Sequence, residues 1–218
     1  PEPAGEESDP GAAASDTRED ASPEGAESEI EEEDGGALST FRTPFAGLAL
    51  VVPVLRALEL PDHLGLVRIR RLLVALAGPE EGLGLTEDPF LDVLASLEEE
   101  DLPSAAPPWP SPKKSHLLGL RSSRREQVEN AAGPEAWAEL VGAHLAARLH
   151  RLEESSLGYL RAQFLTRSGT VTVSPEHVRV VLDSVPLSVV LRMSGMLGER
   201  GRIPWAGGRR LIVTLAER

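Results

Sequence analysis

The side chains that most often perform chemistry are sparse in this sequence and poorly spaced for it. None of the 218 residues is a cysteine, which removes thiolate nucleophiles, thiolate metal sites and disulfides. Of the five histidines, only His144 and His150 lie near each other in the sequence. Six residues apart on a helix, these two would face opposite sides, which is poor spacing for a metal site. We therefore expect no catalytic residue, no metal and no cofactor.

Sequence motifs that bind nucleotides or build active sites are absent as well. There is no GxSxG, no Walker-type loop, no GxGxxG after a strand and no HExxH. Gly207 and Gly208 precede a predicted strand rather than a helix, so they make a poor anion-binding turn. The chain is predicted not to be an enzyme. The remaining catalytic alternative is a site assembled from scattered carboxylates and arginines.

The net charge of −13 belongs to one segment of the chain. Residues 1–39 hold fourteen acidic side chains and a single arginine, whereas the other residues hold 21 of each sign. Such a segment buries too little apolar surface to offset its backbone entropy, so we predict a disordered acidic tail. The balanced remainder argues against a nucleic-acid partner. No apolar run reaches the roughly 18–20 residues of a membrane span, and a cytoplasmic location is expected.

The apolar patterns between residues 40 and 101 predict a helical region. Residues 44–60 are apolar on nearly every face, which favours a buried helix kinked at Pro53 over a pair of buried strands. Residues 64–77 follow the spacing of an amphipathic helix. After a predicted loop at 80–85, a third helix is capped by Thr86 or Asp88 and finishes at 98–101.

Residues 102–133 are predicted to be a Pro-rich and polar linker. Its first part, the strap 102–118, places Trp109 between prolines. That tryptophan could enter an aromatic-lined groove of a partner, or pack on its own domain. The clearest helix follows at 134–154 and is predicted to continue, bent near Ser155, through Phe164.

The last fifty residues alternate between strand and helix patterns. Valines alternate with polar residues on both sides of a turn at Pro175 and Glu176, which predicts a β-hairpin. A short helix near Pro186, a corner over 202–208 and a strand at 210–215 follow. The sequence thus predicts an α+β protein: a helical body over about 41–165, then a small ββαβ module over about 169–217. The module and the long helix together form the segment 134–218.

Seven residues are candidates for contact with a partner. The predicted module offers a sheet edge for strand addition, and its arginines could pair with an acidic partner, with the chain's own acidic tail, or locally. His177 could be a polar anchor or could fix its turn. The candidates are Arg192, Arg202, Arg209, Arg210, His177, Trp205 and Trp109.

The C-terminal stretch resembles the end of uncharacterised accessory proteins encoded with bacterial contractile injection systems, the phage-tail-like particles. Those proteins have a valine-rich strand, a Ser-Pro-x-His-Val turn, a second strand, a Pro-Leu helix with Arg and Gly, and a corner leading into a last strand. The matching residues are Val171, Val173, Ser174, Pro175, His177, Val178, Val180, Leu182, Leu187, Val189, Arg192, Gly195, Pro204, Gly208, Arg209, Leu211 and Val213. The chain departs from the pattern at 200–202, where those proteins often have an Asp/Pro/Gly-Trp step.

The resemblance implies a biological setting rather than an activity. It suggests a non-catalytic structural or assembly accessory of such a particle, located in the cytoplasm or on the particle itself. Its partners would be other protein components of the particle or its assembly machinery. The alternative is a stand-alone adaptor that binds partner proteins through the strap 102–118 and the acidic tail. Neither hypothesis sets an oligomeric state.

Overall fold

Helices and strands occupy largely separate stretches of the chain, and the fold is α+β as predicted. The computed structural model describes residues 39–96, 108–184 and 187–216. The predicted acidic tail up to residue 38, the predicted helix end at 98–101 and the predicted helix start at Pro186 lie outside these residues. No helix in the described ranges is both long and apolar enough to cross a membrane.

The helical body consists of short helices and one long one. In chain order these are a 3-10 helix at Ala46–Val51, α1 (Val52–Ala57), α2 (Leu60–Leu64), α3 (Leu66–Ala77), α4 (Glu81–Thr86), α5 (Pro89–Leu94), a 3-10 helix at Lys114–Leu117, α6 (Ser122–Asn130), α7 (Gly133–Arg148), α8 (Leu157–Leu160) and a π-helix at Arg161–Leu165. A further short helix, α9 (Ser188–Met193), belongs to the C-terminal part.

The first apolar run forms the centre of the core. All six residues of Ala46–Val51 are buried, and the segment packs on the sheet and on the π-helix. Pro53 lies in the first turn of α1, where its missing N–H costs nothing, so the predicted kink is a junction between two helices. At Gly47 a Cβ atom would overlap the carbonyl oxygen of Phe164, so this close approach requires glycine.

Two helices match the sequence prediction because their signals are local. On α3 the buried residues fall at helical spacing, and the helix ends at Gly78 with φ 107°. Asp88 caps α5 by accepting a hydrogen bond from the N–H of Phe90 at 2.8 Å. The predicted continuation to Phe164 is also present, as α8 and the π-helix.

Other helical predictions need correction. The predicted loop at 80–85 is helix α4, stabilised because Gly82 approaches the carbonyl of Val74 and Leu85 is buried. Within the predicted linker, Ser122–Asn130 is a helix whose inner side packs on α7. The long helix ends at Arg148 rather than near 154. Tertiary packing decided the first two, against weak local propensity.

One mixed sheet is formed by the five strands in the described residues. They are β1 (Ser39–Thr43), β2 (Gly169–Val173), β3 (His177–Leu182), β4 (Gly198–Ile203) and β5 (Arg209–Leu215), in the spatial order β1-β2-β3-β5-β4. The predicted hairpin is formed by β2 and β3. β3 and β5 are parallel neighbours in the sheet, and the chain passes through α9 and β4 between them.

The edge strands β1 and β4 were not predicted. β1 pairs with β2 in register, Phe41 opposite Val171, although its sequence STFRT shows little apolar alternation. β4 pairs with β5 across an irregularity between Glu199 and Gly201. The C-terminal module is therefore ββαββ rather than ββαβ, because pairing with a neighbour supplied what the strand pattern lacked.

Helices and sheet share a single hydrophobic core within the described part of the chain. The inner face of the sheet contributes buried residues from β2, β3 and β5, and the same cluster includes the buried faces of α3, α5 and α7. Hydrogen bonds also join segments that are far apart in the sequence. Arg161 donates from Nε to the carbonyl of Leu76 at 3.1 Å and from Nη2 to that of Ala75 at 2.6 Å, so it satisfies the C-terminal carbonyls of α3.

Candidate interaction surface

β4 is an irregular edge strand of the sheet. Its pairing with β5 shifts register between Glu199 and Gly201, and Gly198 and Gly201 both have positive φ, 88° and 86°. Bulges and charged side chains at a sheet edge oppose the addition of a further strand. The side chains of β4 are therefore better placed than its backbone to contact a partner.

Arg56, from α1, lies directly against the backbone of β4. Its Nη1 donates to the carbonyl of Arg202 at 3.2 Å. A Cβ atom at position 201 would overlap the guanidinium of Arg56, so the glycine there makes room for the arginine. This contact joins the helical body to the sheet edge and brings a second positive charge to it.

Arg148 adds a third charge at the end of α7. Partial burial lowers the pKa of the Arg148 guanidinium, and the nearby charge of Arg56 lowers it further. The charge of Arg56 is therefore felt at Arg148, and among the described residues neither arginine forms an ion pair with a carboxylate. The Arg148 guanidinium still remains protonated at neutral pH, because arginine titrates so far above it.

Arg200 and Arg202 complete the group from the strand itself. Arg200 donates to the carbonyls of Gly195 and Leu197 and so fixes the turn between α9 and β4. Arg202 donates from Nη1 to the carbonyl of Gly208 at 3.0 Å. We call Arg56, Arg148, Arg200 and Arg202 the arginine edge. Among the described residues, none of the four forms an ion pair with a carboxylate.

An apolar patch on α9 lies next to the arginine edge. Val189 and Met193 are 59% and 64% exposed, and their spacing of four places them on one side of the helix. Arg192 is exposed between them in sequence. The end of α9 is held to the end of α7 because Ser194 Oγ accepts a hydrogen bond from the N–H of His150 at 2.7 Å.

The structure separates the predicted candidates into those on or beside the arginine edge and those elsewhere. Arg192 lies on α9 and Arg202 belongs to the arginine edge, whereas the others lie elsewhere in the fold. Arg210 is exposed and pairs with Glu176 at 3.5 Å, and Arg209 is half-buried beside it. His177 fixes its turn, with Nδ1 2.9 Å from Ser174 Oγ.

Both candidate tryptophans are packed within the fold. Trp205 is partly buried against the core, and its indole N–H donates to the carbonyl of Leu94 at 2.9 Å. Trp109 also packs on the core, and the guanidinium of Arg71 lies 5.8 Å from its ring centroid. Arg68 and the indole N–H of Trp137 hold the strap by donating to the carbonyls of Pro108 and Pro110.

Sequence reasoning missed Arg56, Arg148 and Arg200. Arg56 and Arg148 come from helices far apart in the chain, so no local spacing joins them. One signal was available: Arg56 is the single charged residue in the apolar run 44–58. Because a charged side chain is rarely buried without a partner, an arginine in such a run marks the position where the helix reaches the surface.

A second polar cluster surrounds Trp137. The ring centroids of His63 and His116 are 5.3 Å apart, and they lie 5.6 and 5.3 Å from that of Trp137. Burial lowers the pKa of both histidines, with smaller contributions from neighbouring positive charges that include Lys113. His144 donates from Nε2 to the carbonyl of His116 at 2.8 Å. Within the described ranges, no three acidic or histidine side chains are grouped to hold a metal ion.

Comparison of the chain with protein-family models, curated proteins and solved structures gives no match.

Proposed function

We propose that this chain is a non-catalytic accessory protein that binds an acidic surface of a partner protein through the arginine edge and α9. The observation that carries the proposal is the hydrogen bond from Arg56 Nη1 to the carbonyl of Arg202, which brings Arg56 to a sheet edge where, among the described residues, no arginine of the arginine edge forms an ion pair with a carboxylate. Like charges that are held close together raise the free energy of the protein, and an opposite charge that binds beside them lowers it. A partner that supplies carboxylates at this edge would therefore gain more than one that pairs with isolated surface arginines.

The neighbouring patch supplies the apolar part of such an interface. Protein interfaces combine a central apolar contact with a polar rim, and arginine is enriched in them. Val189 and Met193 form the apolar contact, and the arginine edge forms one side of the rim. Guanidinium groups also bind carboxylates in a planar, two-pronged geometry, which favours specificity over simple attraction.

The biological setting comes from the resemblance of residues 171–213 to accessory proteins of contractile injection systems. In that setting the acidic partner is a component of the particle or of its assembly machinery. The alternative adaptor hypothesis depends on a strap that can leave its own domain. Because the carbonyls of Pro108 and Pro110 accept hydrogen bonds from Arg68 and Trp137, the arginine edge is better placed for binding than the strap.

Sedimentation of native particles tests both parts of the proposal. The tagged full-length chain is expressed in its own cells, and particles are separated from free protein on a density gradient. The double variant Arg148→Glu with Arg202→Glu should leave the particle fraction. The control variant Arg125→Glu with Arg179→Glu makes the same charge change on α6 and on the central strand β3, and it should remain with the particles.

Each part of the proposal has its own contrary result. If the unaltered chain never sediments with particles, the injection-system setting is wrong. If the edge variant sediments as well as the control, the arginine edge is not the interface. Binding that is lost on nuclease treatment would indicate a nucleic acid in place of an acidic protein.

A further inference from the structure

Arg124 is a charged residue on the inner side of a helix. It lies four residues before Val128 on α6, so both face α7, and only 4% of its surface is exposed. Arginine is rarely buried to this extent unless its charge is paired. Its position is therefore costly in the absence of a partner.

The guanidinium of Arg124 is held by one hydrogen bond, and two of its nitrogens are buried without a partner. Nη1 donates to Oε1 of Gln127 at 2.6 Å. Nε and Nη2 are buried and have no hydrogen-bond partner. Within the described residues, no carboxylate forms an ion pair with Arg124. The N–H groups of Nε and Nη2 point in the same direction, and their spacing matches the two oxygens of one carboxylate.

The side chain of Arg124 lines a cavity of about 380 Å³ between α6, α7 and the start of α8. Glu139, half-buried on α7, lines the same cavity, and the rim is formed by exposed Gln127, Asn130 and Ser156. These side chains are exposed, so the rim can open towards the buried guanidinium, at the cost of the hydrogen bond between Arg124 and Gln127 where Gln127 moves.

We infer that this cavity binds an amino-acid zwitterion, with its carboxylate on Nε and Nη2 of Arg124 and its ammonium group on Glu139. The carboxylate satisfies two buried donors that otherwise have none, which is a large gain because unpaired buried donors are costly. Glu139 discriminates against a doubly charged anion such as phosphate, because two negative charges would then share the cavity. The carboxylate of Glu139 repels such an anion but attracts the ammonium group of a zwitterion.

Nuclear magnetic resonance titration of the ¹⁵N-labelled full-length chain tests the assignment. The amide resonances of Leu157 and Gly158, which line the cavity, report binding at constant ionic strength. Glycine should move these resonances, whereas glycinamide, which lacks the carboxylate, and inorganic phosphate should each bind at least about tenfold more weakly. Acetate should fall between them, because it has the carboxylate but not the ammonium group.

Variants assign the two ends of the ligand. Arg124→Lys keeps the charge but loses the paired N–H groups, so glycine affinity should fall about tenfold. Glu139→Gln should weaken glycine binding, because the partner of the ammonium group is lost, and should bind acetate at least as tightly as the unaltered chain does. Equal responses to glycine and glycinamide, or tighter binding of phosphate, would overturn the inference. These ligand comparisons use the unaltered chain, so they hold even if a variant fails to fold.

Discussion

The indole N–H of Trp205 donates to the carbonyl oxygen of Leu94 at 2.9 Å, across 111 residues of sequence. Leu94 is the last residue of α5, where carbonyls have no partner within the helix, and Trp205 belongs to a 3-10 helix at Pro204–Ala206 that precedes β5. One side chain thus ties the corner of the sheet to the end of a helix in the body.

This bond predicts a difference between two tryptophan substitutions. Trp205→Phe removes the donor and leaves the carbonyl of Leu94 without it. Trp109→Phe removes a similar part of a ring, but the Nε1 of Trp109 is buried and has no partner. Trp205→Phe should therefore cost about 1 kcal/mol more free energy of unfolding than Trp109→Phe. Urea unfolding of both variants measures the difference, and equal costs would show that the bond contributes nothing.

Gly47 and Gly158 provide a second matched pair. A methyl group at position 47 would overlap the carbonyl of Phe164, so Gly47→Ala should destabilise the protein by about 2 kcal/mol or more. At Gly158, on α8, the nearest group to such a methyl is Ser156 Oγ at 3.9 Å. Gly158→Ala should be neutral or stabilising by about 0.5 kcal/mol. Thermal unfolding of both checks this order, and its reversal would contradict the close approach at Gly47.

Asp88 links β1 to α5, so removal of its side chain should destabilise both elements. Its Oδ1 accepts from the N–H of Phe90, and its Oδ2 accepts from the buried hydroxyl of Thr43 at 2.8 Å. Asp88→Ala removes the cap and leaves Thr43 without an acceptor, at a cost of about 2 kcal/mol. Asp88→Asn keeps one acceptor oxygen and should lose less. Hydrogen exchange at β1 and α5 should rise together in Asp88→Ala, and a rise at α5 alone would separate the two elements.

The histidine cluster predicts a loss of stability in mild acid. Burial holds the pKa of His63 and His116 below their ordinary value of 6.5, so the unfolded chain binds protons that the folded chain does not. The free energy of unfolding should therefore decrease as pH falls through 6.5 towards the lower folded values, and stay unaffected by these groups above it. Urea unfolding at several pH values from neutral downwards measures this slope.

Substitution assigns the slope to its residues. The double variant His63→Gln with His116→Gln should flatten the dependence on pH in that window. His150→Gln, at an exposed position outside the cluster, should leave it unchanged. An equally steep loss of stability in the double variant would mean that other groups are responsible.

Local periodicity was sufficient for some of the fold. The buried residues of α3 recur every three to four positions, and the valines of β2 and β3 alternate across a Pro-containing turn, so each element carries its own signal. β1 and β4 carry almost none. β1 is a strand because it pairs with β2, and β4 because it pairs with β5 and accepts Arg56 against its backbone.

The candidate surface was predictable only in part. Arg192 and Arg202 stood out because they lie in the arginine-rich C-terminal segment. Arg56 and Arg148 belong to helices whose packing brings them together, and that packing depends on the whole core. Arg124 is similar, since only the docking of α6 on α7 turns a polar-looking segment into a helix with a buried guanidinium.

The pairing of β1 with β2 has a consequence for the order of folding. Every residue of the helical body described above lies between these two neighbouring strands in the sequence, with Ser39 opposite Val173. Pairing between such distant strands requires a large loop to close, and the chain loses this entropy before the strand contacts stabilise it. This slows folding. A ribosome must release the chain as far as residue 215 before the whole of β5 can take its place between β3 and β4. We expect the sheet to form after synthesis of residue 215 rather than progressively during it, with the edge strand β1 as a late and easily reopened element.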